Sequence, residues 1–103
     1  MNVRYRPSAL TAIARYDLFR QGRGYQPIGD EILDAVEKSL RAATGWDGIP
    51  GPAARVRGEV LPVKRLLVRV RSKTFKANIR QGPTPDVVVV AYVRHPGQQM
   101  IER

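Results

Sequence analysis

Residues 65–80 read RLLVRVRSKTFKANIR, and this stretch decides the fold. On both sides of Ser72, apolar residues occupy every second position. This apolar set consists of Leu66, Val68, Val70, Phe75, Ala77 and Ile79. Successive side chains of a β-strand point to opposite faces, so a two-residue period predicts two strands, each with one apolar face. The residues between them are mostly basic, and the stretch therefore predicts an antiparallel hairpin with one cationic face.

The segment after this hairpin is predicted to be a central strand. Residues 87–93 read VVVVAYV, an uninterrupted apolar run that follows the turn sequence QGPTPD at 81–86. Such a run is typical of a strand that is covered on at least part of both faces. Pro96 and Gly97 break the pattern after it. Together with the hairpin, this segment predicts a three-stranded antiparallel sheet.

A short strand is predicted at the start of the chain. Val3 and Tyr5 alternate with Arg4 and Arg6, and Pro7 follows them. The alternation indicates one buried and one basic face, and the proline ends the pattern.

Two helices are predicted between this strand and the sheet. Ser8 is the expected N-cap of the first helix, whose apolar residues recur at steps of three and four as far as about Arg20. Asp30 is the expected N-cap of the second helix, which runs to Thr44 and stops at Gly45. The two helices are expected to form a hairpin.

Residues 45–54, GWDGIPGPAA, show neither a helical nor a strand period and are predicted to be a loop, with Trp46 folded back onto the core. The predicted fold class is α+β: an N-terminal short strand, a helical hairpin, then a three-stranded antiparallel sheet. A length of 103 residues with 43% apolar residues suits a single domain over residues 1–103.

Composition restricts the classes of function. The chain has no cysteine and one histidine, so no metal site is expected, and no sequence motif indicates a cofactor. No apolar run is long enough to span a bilayer, and the cysteine-free chain is expected in the cytoplasm, away from membranes. The formal net charge is +9, and residues 50–103 carry 11 Lys and Arg against three acids. This excess predicts a polyanionic partner, and RNA is favoured.

Basic residues of the predicted sheet are the candidate site. They are Arg65, Arg69, Arg71, Lys73, Lys76, Arg80 and Arg94, with His95 directly after the last. If the last strand pairs with the one before it, all of these side chains except Arg65 are expected to converge on one face at the sheet edge. Arginine and lysine can hold a phosphate and neutralise its developing charge while the RNA 2′-hydroxyl attacks, and a histidine can exchange a proton.

Simpler interpretations of the same residues remain open. A basic strand face can be a general phosphate-binding surface without catalysis, and a single histidine can be purely structural. Tyr92 shares the strand parity of Arg94 and is expected either to pack in the core or to point toward the basic face.

Four stretches carry a family resemblance: VRYRPSALTAIARY at 3–16, GDEILDAVEKSLRAA at 29–43, RLLVRVRSKTFKANIRQ at 65–81 and DVVVVAYVRH at 86–95. In these stretches the chain resembles the RelE/ParE superfamily of bacterial type II toxins. The resemblance implies a metal-independent endoribonuclease that cuts mRNA on the ribosome and is neutralised by a cognate antitoxin protein.

The resemblance also implies residue roles. Lys76 matches the family's phosphate-binding arginine, Arg69 matches a basic strand residue, and Arg94 with His95 matches the basic end of the last strand. These four are the candidate catalytic residues; Arg65, Arg71, Lys73 and Arg80 are the candidate nucleic-acid-binding residues. The family's usual catalytic Tyr or Glu has no clear match after His95, where Glu102 is the only acid.

Two other functions fit the same patterns. One is the gyrase-inhibiting branch of the superfamily, against which the density of cations from Arg65 to Arg80 argues. The other is a non-enzymatic basic adaptor, such as a phage head-to-tail joining component, in which the arginines meet acidic neighbours or packaged DNA.

Overall fold

The computed structural model describes residues 1–96, which form an α+β fold as predicted. The elements are β1 (Asn2–Tyr5), α1 (Pro7–Gly22), α2 (Gly29–Arg41), β2 (Ala53–Val56), β3 (Glu59–Val70), β4 (Lys73–Gln81) and β5 (Val87–Arg94). A 3₁₀ turn at Trp46–Gly48 lies between α2 and β2.

The strands within residues 1–96 form one five-stranded mixed sheet in the order β1-β5-β4-β3-β2. β1 pairs in parallel with β5, where Val3 lies opposite Val88 and Tyr5 opposite Val90; the other neighbouring strands are antiparallel. The predicted three-stranded antiparallel sheet is therefore too small. A parallel neighbour needs a long crossover connection, and the chain between β1 and β5, which includes both helices, supplies it.

β2 is the strand that the residue patterns missed. Residues 45–54 are predicted to be a loop, but β2 begins at Ala53 and pairs with the start of β3. The connecting turn consists of Arg57 and Gly58, whose φ angles are 52° and 83°. Consecutive positive φ angles characterise a type I′ turn, whose twist matches that of the flanking strands. The residues of β2 read AARV and do not alternate between apolar and polar, so no strand period marks them.

The predicted central hairpin is confirmed. Val68 lies opposite Phe75 and Leu66 opposite Ala77, so the apolar residues of β3 and β4 share one face. The turn between the strands is formed by Arg71 and Ser72, with φ angles of 50° and 66°. It is again a two-residue turn with both residues in the left-handed region, which pairs the strands without slippage.

The core lies between this apolar face and the helices, because α1 lies against β5 and α2 against β3 on the same side of the sheet. The helices contribute Ile13 and Tyr16 from α1 and Ile32, Val36 and Leu40 from α2. The sheet contributes Leu66, Val68, Val70, Phe75, Ala77, Ile79, Val88, Val90 and Val93. Burying one face of the sheet leaves its other face without a helix among the described residues.

The start of α1 differs from the prediction. The helix begins at Pro7, and the Ser8 hydroxyl does not cap it but donates a hydrogen bond to the carbonyl oxygen of Ala91 at 2.7 Å. Ala91 is the extra residue of a bulge in β5, since Tyr92 pairs with Asn78 and Val90 with Ile79. A bulge leaves its extra residue out of the ladder, so Ser8 supplies the partner that this carbonyl lacks.

The start of α2 also differs. The predicted N-cap, Asp30, lies inside the helix, which runs from Gly29 to Arg41 and so ends before Thr44. The carboxylate of Asp17 in α1 accepts hydrogen bonds from the backbone N–H groups of Ile28 at 2.8 Å and Gly29 at 3.0 and 3.1 Å. An acid from one helix thus caps the next, which fixes the angle of the helical hairpin.

Candidate nucleic-acid interface

The sheet face opposite the helices carries a concentration of basic side chains. Side chains alternate along a strand, so the residues between the buried positions of β3, β4 and β5 point away from α1 and α2. We call this surface the cationic face. Its basic residues are Arg4, Arg65, Arg69, Lys76, Arg80 and Arg94. Among the described strand positions 63–69, 74–80 and 87–94, which form most of this face, there is no Asp or Glu.

Lys76 and Arg94 form the closest pair of cations in this arrangement. Lys76 of β4 lies directly opposite Arg94 of β5, and both side chains are half-buried. Directly opposite residues of antiparallel strands have Cβ atoms about 4.5–5.5 Å apart, and like charges at that spacing are destabilising. A phosphate oxyanion between them can accept charge-assisted hydrogen bonds from both. The pair therefore has the geometry of a phosphate-binding element.

A second row of the cationic face runs beside this pair. Asn78 of β4 lies opposite Tyr92 on one side and Arg65 on the other. The next row places Arg80 opposite Val89, which in turn neighbours Arg4 of β1. Cations therefore extend across the sheet from β1 to β3.

Arg69 lies on the same face at the end of the sheet, opposite Thr74. Arg71, two residues further on, points elsewhere: its Nε donates to both carboxylate oxygens of Glu31 in α2, at 3.0 and 3.2 Å. The ion pair is exposed, yet it directs the Arg71 guanidinium toward the helix side of the sheet. Arg71 thus joins the sheet end to α2.

His95 lies on the helix side as well. Its ring stacks on Tyr16 of α1, with ring centroids 4.8 Å apart and planes inclined by 20°. It lines a pocket of about 360 Å³ together with Tyr16, Phe19, Lys73 and Pro96. Burial, with a smaller contribution from the positive charge of Lys73, lowers the pKa of His95 below its ordinary value. Both effects favour the neutral form of the ring.

The structure thus divides the predicted site residues. It brings together Arg65, Arg69, Lys76, Arg80 and Arg94 on the cationic face. It does not bring Arg71, Lys73 or His95 to that face. The convergence expected for the seven residues other than Arg65 is therefore only partial, because the strand alternation that directs Arg94 one way directs His95 the other. Glu102 lies outside the described residues.

Residue patterns missed some members of this face. Arg4 was expected on a basic strand face, but only the pairing of β1 with β5 joins it to the other cations. Asn78 is not among the predicted site residues, although its position opposite Tyr92 and Arg65 puts it at the centre of the sheet. The parity of Tyr92 with Arg94 was the one signal in the sequence for its place on this face.

The loop before β2 is fixed against β3 by a buried lysine. Lys64, 7% exposed, donates from Nζ to the carbonyl oxygens of Trp46 at 2.6 Å and Ile49 at 3.2 Å. Its Nζ also lies 5.1 Å from the centre of the Trp46 ring, which packs against the core as predicted. A buried ammonium needs such acceptors to offset its desolvation. Lys64 therefore holds the loop in one position.

The same loop continues over β3 in close contact. A side chain on Gly51, whose φ is 111°, would collide with the carbonyl oxygen of Arg65. The N–H of Arg65 donates to the carbonyl oxygen of Pro52 at 3.4 Å. Only glycine permits this approach, and it brings the start of β2 to the margin of the cationic face.

In comparisons with known proteins, no family model, curated protein or solved structure matches the chain. No helix within residues 1–96 has the length and apolarity required to cross a membrane.

Proposed function

We propose that this protein is an RNA-targeting toxin of the RelE/ParE kind, and that its cationic face binds the phosphate backbone of mRNA on the ribosome. The observation that carries the proposal is that Lys76 and Arg94 lie directly opposite each other on the cationic face. The strand segments 63–69, 74–80 and 87–94 of that face contain no Asp or Glu. The chain order of a strand, two helices and antiparallel strands, on which the sequence resemblance rests, also supports it.

The cationic face suits single-stranded RNA. Its basic residues lie on neighbouring strands, which are about 4.8 Å apart, so successive phosphates can be contacted across the sheet. Arginine binds phosphate oxygens through two parallel N–H groups, and lysine adds a point charge. Tyr92, half-buried in the same face, adds an aromatic ring of the kind on which exposed bases stack.

Cleavage is proposed at the phosphate held by Lys76 and Arg94. The RNA 2′-oxygen forms a bond to phosphorus as its proton passes to a solvent water, and the bond from phosphorus to the 5′-oxygen breaks as that oxygen takes a proton from a second water, which leaves a 2′,3′-cyclic phosphate and a 5′-hydroxyl. Negative charge grows on the non-bridging oxygens during this step, and the two cations stabilise it there. His95 lies across the sheet from this phosphate, so the proposal assigns it no proton transfer.

Inducible expression in a bacterial host tests this function, with growth and protein synthesis followed together. The wild-type chain is expected to arrest translation rapidly. Arg94→Ala is expected to abolish the arrest, because it removes half of the phosphate-binding pair. Arg15→Ala is the matched control, since Arg15 is an exposed arginine on α1, away from the cationic face. It should remain toxic.

Two outcomes contradict the proposal. Normal growth and continued translation with the wild-type chain argue against a toxin, and full toxicity of Arg94→Ala removes the assignment of the phosphate site. Circular dichroism of the purified variants, compared with wild type, separates loss of function from loss of fold. Mapping of mRNA 5′ ends during arrest then tests cleavage itself.

A further inference from the structure

A small pocket lies at the margin of the cationic face where the fixed loop meets β3 and β4. Its lining residues are Pro52, Ala53, Ala54, Val63, Arg65 and Asn78. Its volume is about 140 Å³, well below the roughly 300–1,000 Å³ of pockets for drug-sized ligands. It therefore accommodates one flat ring system, not a whole nucleotide.

The chemistry of the lining is that of a base-recognition site. The walls are formed by the apolar residues Pro52, Ala53, Ala54 and Val63. Arg65 adds a guanidinium plane, which can stack on a base, and Asn78 adds the one side-chain amide of the lining. An amide presents one donor and one acceptor side by side, and the adenine edge formed by N7 and the N6 amino group presents the complement.

The pocket is also placed correctly with respect to the backbone site. Asn78 lies two positions from Lys76 on β4, and both point to the same face. Two residues of a strand span about 7 Å, which is within the reach of one nucleotide. A strand whose phosphate is held by Lys76 and Arg94 can therefore place a neighbouring base in the pocket.

We propose that this pocket binds a single adenine of the bound RNA strand, with Asn78 contacting its N6 and N7 atoms, and that it gives the protein a base preference. The inference rests on the proposed RNA binding and adds selectivity to it. The loop that leads to the pocket is held against β3 by Lys64, which donates to the carbonyl oxygens of Trp46 and Ile49, and by the close approach of Gly51 to Arg65.

Fluorescence anisotropy with labelled hexanucleotides tests the inference on the purified full chain. The probes are UUUAUU, UUUCUU and UUUUUU at constant salt. Wild type is expected to bind the adenine-containing probe about tenfold more tightly than the other two, because one bidentate hydrogen-bonded pair between an amide and adenine gives discrimination of about that size. Asn78→Leu keeps an apolar side chain of similar length and is expected to bind all three probes equally.

A matched control and a second variant keep the test decisive. Asn2→Leu changes an exposed asparagine of β1, outside the pocket, and should retain the adenine preference. Asn78→Asp replaces the amide by an acceptor-only group and should move the preference toward cytosine, whose N4 is a donor. The ratio of the affinities for the cytosine and adenine probes remains informative even if the added negative charge weakens the binding of all probes.

The outcomes separate the two proposals. Equal wild-type affinity for the three probes overturns the adenine pocket and leaves RNA binding standing. An adenine preference that survives in Asn78→Leu overturns the role of Asn78. Absence of binding to any probe overturns the inference, whereas the proposed function is decided separately by the expression experiment with wild type and Arg94→Ala.

Discussion

Arg94 and His95 are consecutive in the chain, yet their side chains lie on opposite faces of the sheet. Arg94 pairs with Lys76 on the cationic face, whereas His95 stacks on Tyr16 of α1. Strand geometry separates neighbouring residues in this way, so a basic dipeptide at a strand end does not form one site. The titration of the single histidine therefore depends on the surroundings of its ring on the helix side of the sheet.

The protonation of His95 is the prediction at this scale. Burial and the charge of Lys73 lower its pKa below 6.5, so we expect its ring protons to titrate by NMR with a midpoint below that value. The unfolded chain binds this proton more tightly than the folded chain. The free energy of unfolding therefore decreases as the pH falls from 6.5 to the folded-state pKa of His95, and His95 causes no further decrease below that pKa.

Variants locate the cause of this shift. Lys73→Gln removes the smaller contribution and should raise the midpoint while leaving it below 6.5, since burial remains. Arg69→Gln, on the cationic face, is the control and should leave the midpoint unchanged. A wild-type midpoint at or above 6.5 would contradict the buried, stacked position of the ring.

The helical hairpin shows how one element is completed by another. α2 begins at Gly29 without a side-chain cap of its own, and Asp17 of α1 supplies the acceptor. A side chain on Gly29 would lie 2.8 Å from Cγ2 of Ile13 and would collide with the Asp17 carboxylate. Glycine at this position therefore permits the approach that makes the cap.

Removing this cap is the prediction at the scale of the element. Asp17→Ala leaves the N–H groups of Ile28 and Gly29 without their acceptor, and we expect it to lower the free energy of unfolding by about 1–2 kcal/mol. Urea unfolding at an unchanged m-value measures this loss as a shift in midpoint.

Asp30→Ala is the matched control for this measurement. Asp30 is the cap that the residue pattern predicts, but in the fold it contributes only its charge near the N-terminus of α2, worth about 0.3–1 kcal/mol. A larger loss from Asp30→Ala than from Asp17→Ala would show that α2 is capped locally and not by α1.

At the scale of the whole molecule, the sheet has one face for the core and one for its surroundings. α1 and α2 cover the apolar face, and most basic residues of the strands lie on the other face. This separation explains how a chain of net charge +9 keeps a well-formed core. The charge lies where it attracts a polyanion and does not oppose packing.

Salt dependence of RNA binding is the prediction at this scale. If the six basic residues of the cationic face each neutralise one phosphate, the slope of log K against log salt is about −4 for single-stranded RNA. Lys76→Gln should reduce the magnitude of the slope by about 0.7, whereas Arg15→Gln on α1 should not change it. A flat response of wild type would contradict a polyanionic partner.

Residue patterns predicted the strands correctly where the apolar pattern extends over many residues. The hairpin around Ser72 and the apolar run at 87–93 are strands as expected, because each carries its burial pattern in its own residues. Prediction failed where an element is short or completed from elsewhere. β2 is short and its residues do not alternate, and Ser8 and Asp30 act differently from the caps that their positions suggest.

The sequence by itself determined the α+β class, the two cationic strands and the net charge of +9, since periodicity and composition are local properties. Only the tertiary structure decided that β1 lies beside β5, that Asp17 caps α2 and that Lys76 opposes Arg94 while His95 turns away. Each of these depends on a pairing between distant residues or on a single β-bulge. Such pairings are set by the packing of the whole chain, and no window of sequence contains them.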